Sequence, residues 1–384
     1  MLNFLKKIGL LQKLNHLCSD LFENKIKIND FRSKLPKEAF ILQEPFVFEI
    51  DLSNCQIKSN PYWKNIIKQK SDTLYYAEIT DASIVGRGIV LNDKKEVILE
   101  STIFQKEYLN KLKSNHLVYF KNSISNKKVT KILSLANRLD GNYFHWIMES
   151  LSRVLIVYET DNFNDYSIVI TENTPLFVKE SLAFLFSIPN YRIIEKKMIE
   201  CLVATKTMIV PFPHIRNEKT QMTNVYYPEI IKKFNKLAHK RLAEKQTNSN
   251  KIYPKNIIIS RKNAIERRII NEKQLINKLL EHEFVVLHLE NLSFEEQILH
   301  FYYAEKIIAV HGAGITNVIF GKKILLIELF PVERTIRDVF YFVQITAALK
   351  FKHCVIEYKS YNQQQDLFID DAIYDKILNA LVVT

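Results

Sequence analysis

The 384-residue sequence predicts an α/β protein whose C-terminal half is built on a parallel sheet, and three observations carry that reading. From Asn256 onward, short apolar runs recur: "NIIISR", "FVVLHLE", "KIIAVHG" and "ILLIELF". None alternates apolar with polar residues, so each reads as a strand buried on both faces, the environment of a parallel strand. Between them lie helix-like stretches such as "NEKQLINKLLEHE" and "SFEEQILHFYYAE". Strand, helix, strand, helix in that order means βαβ units and a Rossmann-like domain. "HCVIEY" reads as a further strand and "DDAIYDKILNALVV" as a closing helix.

The first half is less regular. "DASIVGRGIVLNDKKEVILES" alternates and holds Gly86, Gly88 and an Asn-Asp turn, the pattern of a small antiparallel hairpin region. "GNYFHWIMESLSRVLIVYE" reads as a helix, with "SIVITEN" and "TMIVPFP" as short strands, the parts of a second α/β domain. Between the halves, "NKLAHKRLAEKQTNSNKIYPKN" ends a basic helix in a polar stretch with a proline, so a boundary is expected near Thr247 to Tyr253. The expected division is a helical or irregular segment over 1–80, an α/β domain over 81–247 and a Rossmann-like domain with its closing helix over 253–384.

An apolar share of 47% and a charged share of 25% are those of a folded chain rather than a disordered one. Net charge is +12, from 54 basic and 42 acidic residues. Such a field favours anionic partners such as nucleotides, nucleic acid, acidic lipids or acidic polysaccharide, with solubility as the plain alternative. The four cysteines, Cys18, Cys55, Cys201 and Cys354, lie far apart and form no C-x-x-C, which argues against a zinc site or disulfide framework and for a reducing compartment. No apolar run approaches the roughly 18–20 residues of a membrane span. The opening "MLNFLKKIGLLQKLNHLCSDLF" lacks the apolar core and cleavage site of a signal peptide. Leu2, Leu5, Ile8, Leu11, Leu14 and Leu17 instead mark an amphipathic helix, read either as core packing or as a membrane-surface anchor. The expectation is a cytoplasmic chain, peripheral at the inner face of a membrane.

The stretch "IIAVHGAGITNVIFGKKILLIELFP", from Ile307 to Pro331, holds three of the seven glycines, Gly312, Gly314 and Gly321. It reads as a strand end, a glycine turn and a helix start. Glycines let backbone amides approach a ligand closely, and amides at a helix N-terminus favour an anion, typically phosphate. It is not the dinucleotide G-x-G-x-x-G/A, because Asn317 occupies the third glycine position, nor a Walker A loop, which ends in lysine and Ser or Thr. "HGAG" resembles the oxyanion motif of some lipases, but no G-x-S-x-G elbow accompanies it.

With its neighbours the stretch is more specific. "ISRKNAIERRIINEKQLINKLLEHEFVVLHLENLSFEEQILHFYYAEKIIAVHGAGITNVIFGKKILLIELFP" resembles the C-terminal part of glycosyltransferase family 61. The matching positions are Ile259 to Arg261, Arg268, Asn271 and Glu272, Glu296 and Gln297, His311 to Asn317, and Glu328. Upstream, "NYFHWIMESLSRV" resembles the family's Tyr-x-His-Trp helix, with His145, Trp146, Glu149 and Arg153. The resemblance runs from Ala82 to Lys350, with Ile315 in place of the usual leucine and Ser152 where proline is common. It implies a GT-B arrangement: two Rossmann-like domains facing across a cleft, the acceptor on the side of the first and a nucleotide-sugar donor held mainly by the second. It further implies inversion at the anomeric centre, without a tightly bound metal or other cofactor. No D-x-D diphosphate motif is present, although E-x-D triplets occur at Glu49 to Asp51 and Glu159 to Asp161.

On this reading the departing diphosphate is stabilised by amides and cations. Gly312, Ala313 and Gly314 offer the amides; Arg261 and Arg268, with Arg267 as rival to Arg268, offer planar guanidinium groups that bind two oxygens at once. His311 is expected to contact the donor. Glu328, at a strand end, is expected to accept ribose hydroxyls or to pair with a nearby lysine. Thr316 and Asn317 either touch phosphate or cap the helix, and Gln297 either contacts the base or holds a loop. His145 and Glu149 are four apart and share one helical face. Either His145 is the base with Glu149 orienting it, or Glu149 is the base; a structural His145 against Trp146 is the plain alternative, and His214 an outside candidate.

The expected function is transfer of a sugar, carried by uridine diphosphate in the family's usual manner, to a glycan or lipid-linked acceptor in surface or capsular polysaccharide synthesis. The positive charge suits an acidic acceptor or an anionic membrane surface. A non-catalytic scaffold on the same fold is the competing function. Nucleic acid is not an expected partner, because the basic residues are dispersed and no helix-turn-helix, zinc-finger or RRM signature is present.

Overall fold

The computed structural model describes residues 28–31, 35–37, 39–56, 67–102, 126–198, 200–216, 224–245, 251–334 and 336–382. The amphipathic helix expected over residues 2–17 lies outside them, as do residues 246–250 of the polar stretch. The chain divides into two compact units. One takes Met1–Pro45, Asp72–Val178 and Ile188–Pro213; the other takes Phe46–Ser71, Lys179–Ser187 and His214–Thr384.

The first unit is organised by four parallel strands, β1 (Asn126–Ser134), β2 (Ser167–Thr171), β3 (Ile193–Lys196) and β4 (Cys201–Ile209), in the order β4-β1-β2-β3. Beyond β4 the sheet turns antiparallel, through Leu74–Val85 and then Ile89–Leu91. The predicted hairpin is this Leu74–Val85/Ile89–Leu91 pair, turned at Gly86 and Gly88 with φ of 53° and 102°. Gly88 is needed for space as well as for its dihedral: a Cβ there would stand 1.7 Å from the Ala136 carbonyl oxygen. Ile84, Val90, Ile132, Val169, Leu202 and Ala204 pack together as this unit's core.

The second unit contains the predicted parallel sheet: β5 (Asn256–Ile259), β6 (Phe284–Leu287), β7 (Lys306–Val310), β8 (Leu325–Pro331) and β9 (Lys352–Tyr358), all parallel, in the order β6-β5-β7-β8-β9. A short strand, Cys55–Gln56, adds to β9. All seven residues of β8 are buried, the consequence of a strand covered on both faces. Ile258, Ile308, Ile327 and Leu329 form one core with Leu275 and Leu279 and with Ile377 of the closing helix, Asp371–Val382. On another side of the unit, the 3-10 helix Ala313–Phe320 packs against the helices Pro228–Glu244, Phe294–Tyr303 and Ile336–Ala348. The chain is thus mixed α/β with a parallel sheet in each unit. Among the described residues no helix is long and apolar enough to cross a membrane.

Replacing Gly88 with alanine is expected to lower stability by about 1–3 kcal/mol through the backbone conformation alone, before the clash with Ala136 is added. A urea titration of Gly88→Ala showing an unchanged midpoint would overturn this account of the turn.

Candidate functional site

In the first unit the strand order reverses at β1, which has β2 on one side and β4 on the other. Open α/β sheets bind ligands outside the carboxyl ends of the strands at such reversals. The chain leaving β1 reaches Asn142, whose side chain accepts from the amides of Phe144 and His145 and so starts the helix that follows. That helix runs as Tyr143–His145, a π-helical turn Trp146–Leu151, and Ser152–Val157. His145 and Glu149 meet on its surface as the spacing predicts, Nδ1 to Oε2 at 2.9 Å. Glu149 is fully buried, whereas the His145 side chain is 22% exposed. The carboxylate therefore holds the ring from behind, and Nε2 is the nitrogen left for another partner.

The wide turn between them has local causes. Single π turns inside α-helices are frequent at functional sites. Here Ser152, in the place of the more usual proline, donates its hydroxyl to the carbonyls of Met148 (2.8 Å) and Glu149 (3.0 Å). Ser150 receives a hydrogen bond from Asn137 Nδ2 at 2.6 Å. Arg153 is buried, donates from Nε to the Val210 carbonyl just past β4 (2.8 Å), and lies 4.9 Å over the Phe212 ring. Burial pulls its guanidinium down to about 10, leaving it charged at neutral pH. It thereby ties the His145 helix to the carboxyl end of β4.

In the second unit the order reverses between β5 and β7. The carboxyl end of β5 runs into Ser260 and Arg261, and that of β7 into His311 and Gly312. A cleft of about 280 Å³ opens there, lined by Ser260, Arg261, Leu289, Gly312, Gly314 and Ile315 among others. Arg261 donates from Nε to the Arg267 carbonyl and from Nη2 to the Glu266 carbonyl, each at 3.1 Å. Gly312 makes room for it: the backbone there is extended (φ 174°), but a Cβ would stand 2.1 Å from Arg261 Nη1. Gly314 makes a second close approach, its Cβ position lying 2.8 Å from Leu289 Cδ1. Burial, reinforced by repulsion from Arg267 and Arg334, pulls Arg261 down to about 10, so it too stays cationic at neutral pH. Arg267, with φ of 57°, is depressed by burial and by Arg334; its Nη2 pairs with Glu266, and its buried Nε has no hydrogen-bond partner among the described residues. Three guanidinium groups thus crowd one end of the sheet, and no sequence motif surrounds Arg334.

Arg268 is placed differently from Arg261. Its guanidinium grips the buried Asp366, Nη2 to Oδ2 at 2.7 Å and Nε to Oδ2 at 3.2 Å, and its amide donates to Oδ1 at 2.8 Å. Burial alone would raise Asp366, but the Arg268 and Asn362 hydrogen bonds outweigh it and bring the carboxyl to about 2. The Arg268 charge is compensated where it stands, and the rival Arg267 is the one beside Arg261.

The glycine turn opens the Ala313–Phe320 helix with no side-chain cap, which leaves its first amides for another partner. Thr316 and Asn317 face inward. Thr316 Oγ1 donates to the Ala313 carbonyl (2.7 Å), and Asn317 Nδ2 to Gln297 Oε1 (2.9 Å), while Gln297 Nε2 donates to the carbonyls of Leu289 and Leu292. This relay fixes the glycine turn against the loop after β6, so the Gln297 amide is a structural element.

His311 and Glu328 are brought into contact, Nδ1 to Oε1 at 2.5 Å, with the other carboxylate oxygen 2.9 Å from His353 Nε2. His353 Nδ1 in turn lies 3.1 Å from Thr346 Oγ1. Glu328 is fully buried, and His311, 4% exposed, has Phe330 edge-on at 5.0 Å. Burial acts to raise the Glu328 carboxyl, but the hydrogen bonds from both histidines prevail and hold it below its ordinary range. His214, the outside candidate, is buried with its ring edge-on to Tyr226. Among the described residues no group of three or more His, Cys, Asp or Glu converges to hold a metal.

Residues 143–325 match the family model Glycosyltransferase 61. The matched stretch opens at the first turn of the His145 helix and takes in Glu149, Arg261, Arg268 and the whole of His311 to Asn317. It ends where β8 begins, short of Glu328, Arg334, His353 and Asp366. The match supports glycosyltransferase family 61, and with it a glycosyltransferase activity that uses a sugar donor and an acceptor. No curated protein matches the chain.

Two stability predictions follow from the buried pairs. Because the Glu328 carboxyl is depressed on folding, its contribution is fully present above its ordinary value of 4.5 and is lost as pH falls below it. Glu328→Gln should cost about 3–5 kcal/mol at neutral pH and flatten the acid limb of a pH–stability curve. Arg268→Ala should also lower the urea midpoint, through loss of the contact that holds Asp366. An unchanged midpoint would refute this account of the pair.

Proposed function

We propose that the chain is an inverting glycosyltransferase of family 61 that takes a sugar from a nucleotide-sugar, with uridine diphosphate as carrier, and passes it to a glycan or lipid-linked acceptor in surface polysaccharide synthesis. In this reading the donor is held by the second unit and the acceptor by the first. The observation that carries the proposal is Arg261: a half-buried, still-charged guanidinium lying over Gly312 at the strand reversal of the second unit, where a diphosphate would be met by cation and amides together. Arg267 and Arg334 stand beside Arg261 with their charges met by Glu266 and Asp338, whereas Arg261 itself is bonded to carbonyls and is the cation an anion would meet.

His145 is the base and Glu149 the residue that positions it. Nε2 takes the proton of the acceptor hydroxyl as that oxygen bonds to the anomeric carbon. The bond from that carbon to the diphosphate oxygen breaks on the opposite side, and its electron pair leaves with the diphosphate. Arg261 and the amides of Gly312, Ala313 and Gly314 take up the developing charge, which lets the step proceed without a bound metal. Glu149 favours this assignment by its burial: its carboxylate reaches His145 and is closed to solvent. Glu328, closed between His311 and His353, holds the His311 ring for the donor rather than touching ribose itself.

The test is donor binding and hydrolysis across UDP-, GDP- and CMP-sugars. One nucleotide should bind to the wild type, and Arg261→Ala should weaken it by at least about tenfold, the worth of a hydrogen bond to a charged group. His145→Ala should lower turnover by about 10²–10⁴ while binding survives. Glu149→Gln should lower turnover less than His145→Ala and alter its pH profile. Absence of binding to every nucleotide-sugar would sink the donor site and move the reading to a non-catalytic scaffold.

A further inference from the structure

The opposite end of the second unit's sheet carries a larger recess, about 700 Å³, at the amino ends of β5, β7, β8 and β9. Lys255, Lys306, Lys322, Lys323, Lys350 and Lys352 line it, against Glu305 as the one acidic lining residue among those described. Glu305 is taken by Lys255 at 2.8 Å and Lys350 acts on Asp51, which leaves Lys306, Lys322 and Lys323 with no further acid among the described lining residues. Its wall is aromatic. Tyr253 and Tyr303 stack at 5.2 Å with an interplanar angle of 8°, and Lys322 lies 3.8 Å from the centre of the Tyr302 ring. Ala304, Ile324, Leu325 and Phe351, all buried, form part of the same lining.

Like charges gathered around one concavity repel each other, so the arrangement costs free energy until an anion enters. The shape narrows what that anion is. A planar bilayer meets rims and does not descend into a recess, whereas a flexible oligomer can lie along its buried apolar lining. The tyrosine faces are engaged with one another and with Lys322, which leaves ring edges and hydroxyls rather than the open stacking platforms that nucleic-acid bases use. Lysines with tyrosine edges and hydroxyls over an apolar floor suit a chain of sugars bearing regularly spaced carboxylates.

We propose that this recess binds an acidic oligosaccharide segment at a site separate from sugar transfer. The strands of the sheet are four to seven residues long, so at about 3.3 Å per residue the recess and the Arg261 cleft lie at least about 13 Å apart along it. A segment held here is a growing or acceptor glycan retained by the enzyme while its end is extended elsewhere, and that role rests on the glycosyltransferase reading. The binding itself does not.

The experiment is calorimetric titration of the full chain with hexagalacturonate, maltohexaose and UDP, beside sedimentation with anionic phosphatidylserine vesicles. Lys322→Glu/Lys323→Glu is compared with Lys232→Glu/Lys233→Glu, an equal charge change on the exposed face of the Pro228–Glu244 helix. Expected are binding of hexagalacturonate, none of maltohexaose, and at least about tenfold loss in the recess variant with less than about twofold in the helix variant. The recess variant should also show a shallower dependence of affinity on salt. Equal losses in the two variants would mean diffuse charge and overturn the proposal, as would recess-dependent capture of vesicles without hexagalacturonate binding. Thermal melts of both variants check that each is folded. Failure of UDP, and of GDP and CMP titrated beside it, to bind, with hexagalacturonate binding intact, would sink the transferase reading and uphold the recess.

Discussion

A guanidinium group occupies the space that the side chain of residue 312 would fill, and the candidate donor site follows from that constraint. Arg261 can lie half-buried at the end of β5 because Gly312, at the end of the adjacent β7, has no Cβ. The carbonyls of Glu266 and Arg267 hold it there, which in turn requires the loop between them to close tightly, with Arg267 left-handed. That loop is fastened by Arg268 to Asp366, ahead of the closing helix. One missing side chain thus links the glycine turn, an arginine-rich loop and a segment about a hundred residues further along the chain.

The same device appears once in each unit. His145 and His311 both present Nδ1 to a carboxylate that is fully buried, Glu149 in one case and Glu328 in the other. A buried carboxylate with a histidine as hydrogen-bond partner fixes the ring's tautomer and leaves Nε2 as the working nitrogen. The two differ in what lies around the ring. His145 is partly open to solvent on a helix whose hydrogen-bond ladder is already widened, a setting suited to moving a proton. His311 is nearly closed off, edge-on to Phe330, with Glu328 also held by His353. That setting suits a rigid donor of a hydrogen bond.

Much of this could be read from the residues, because it is local. Apolar runs without alternation gave all the strands from Asn256 onward, and four-residue spacing gave the His145–Glu149 pair. What could not be read depends on tertiary closure. Arg267 and Arg268 are neighbours with identical chemistry, and tertiary closure decides that Arg268 meets Asp366 while Arg267, paired with Glu266, stays beside Arg261. Arg334 and His353 stand in stretches without a motif and acquire meaning from the strand order. The first unit's parallel strands were seen only in part: β2 and β4 read as short runs, while β1, "NKKVTKILS", is polar over its first half and carries no buried-strand signal there.

Ser152 shows how a departure from a family's usual residue becomes intelligible in three dimensions. Proline lacks an amide hydrogen, so in a helix it forces the ladder open behind it. Serine has the amide, but here its hydroxyl bonds to the carbonyls three and four residues back, competing with the backbone for the same acceptors. Both residues weaken regular α-helical pairing at one turn by different chemistry, and the turn in this chain is π-helical over Trp146–Leu151. Glu149 lies inside that turn and His145 at its entrance, so the geometry of the pair depends on the widening. The side chain at 152 therefore acts on the candidate base through the backbone between them, without touching it.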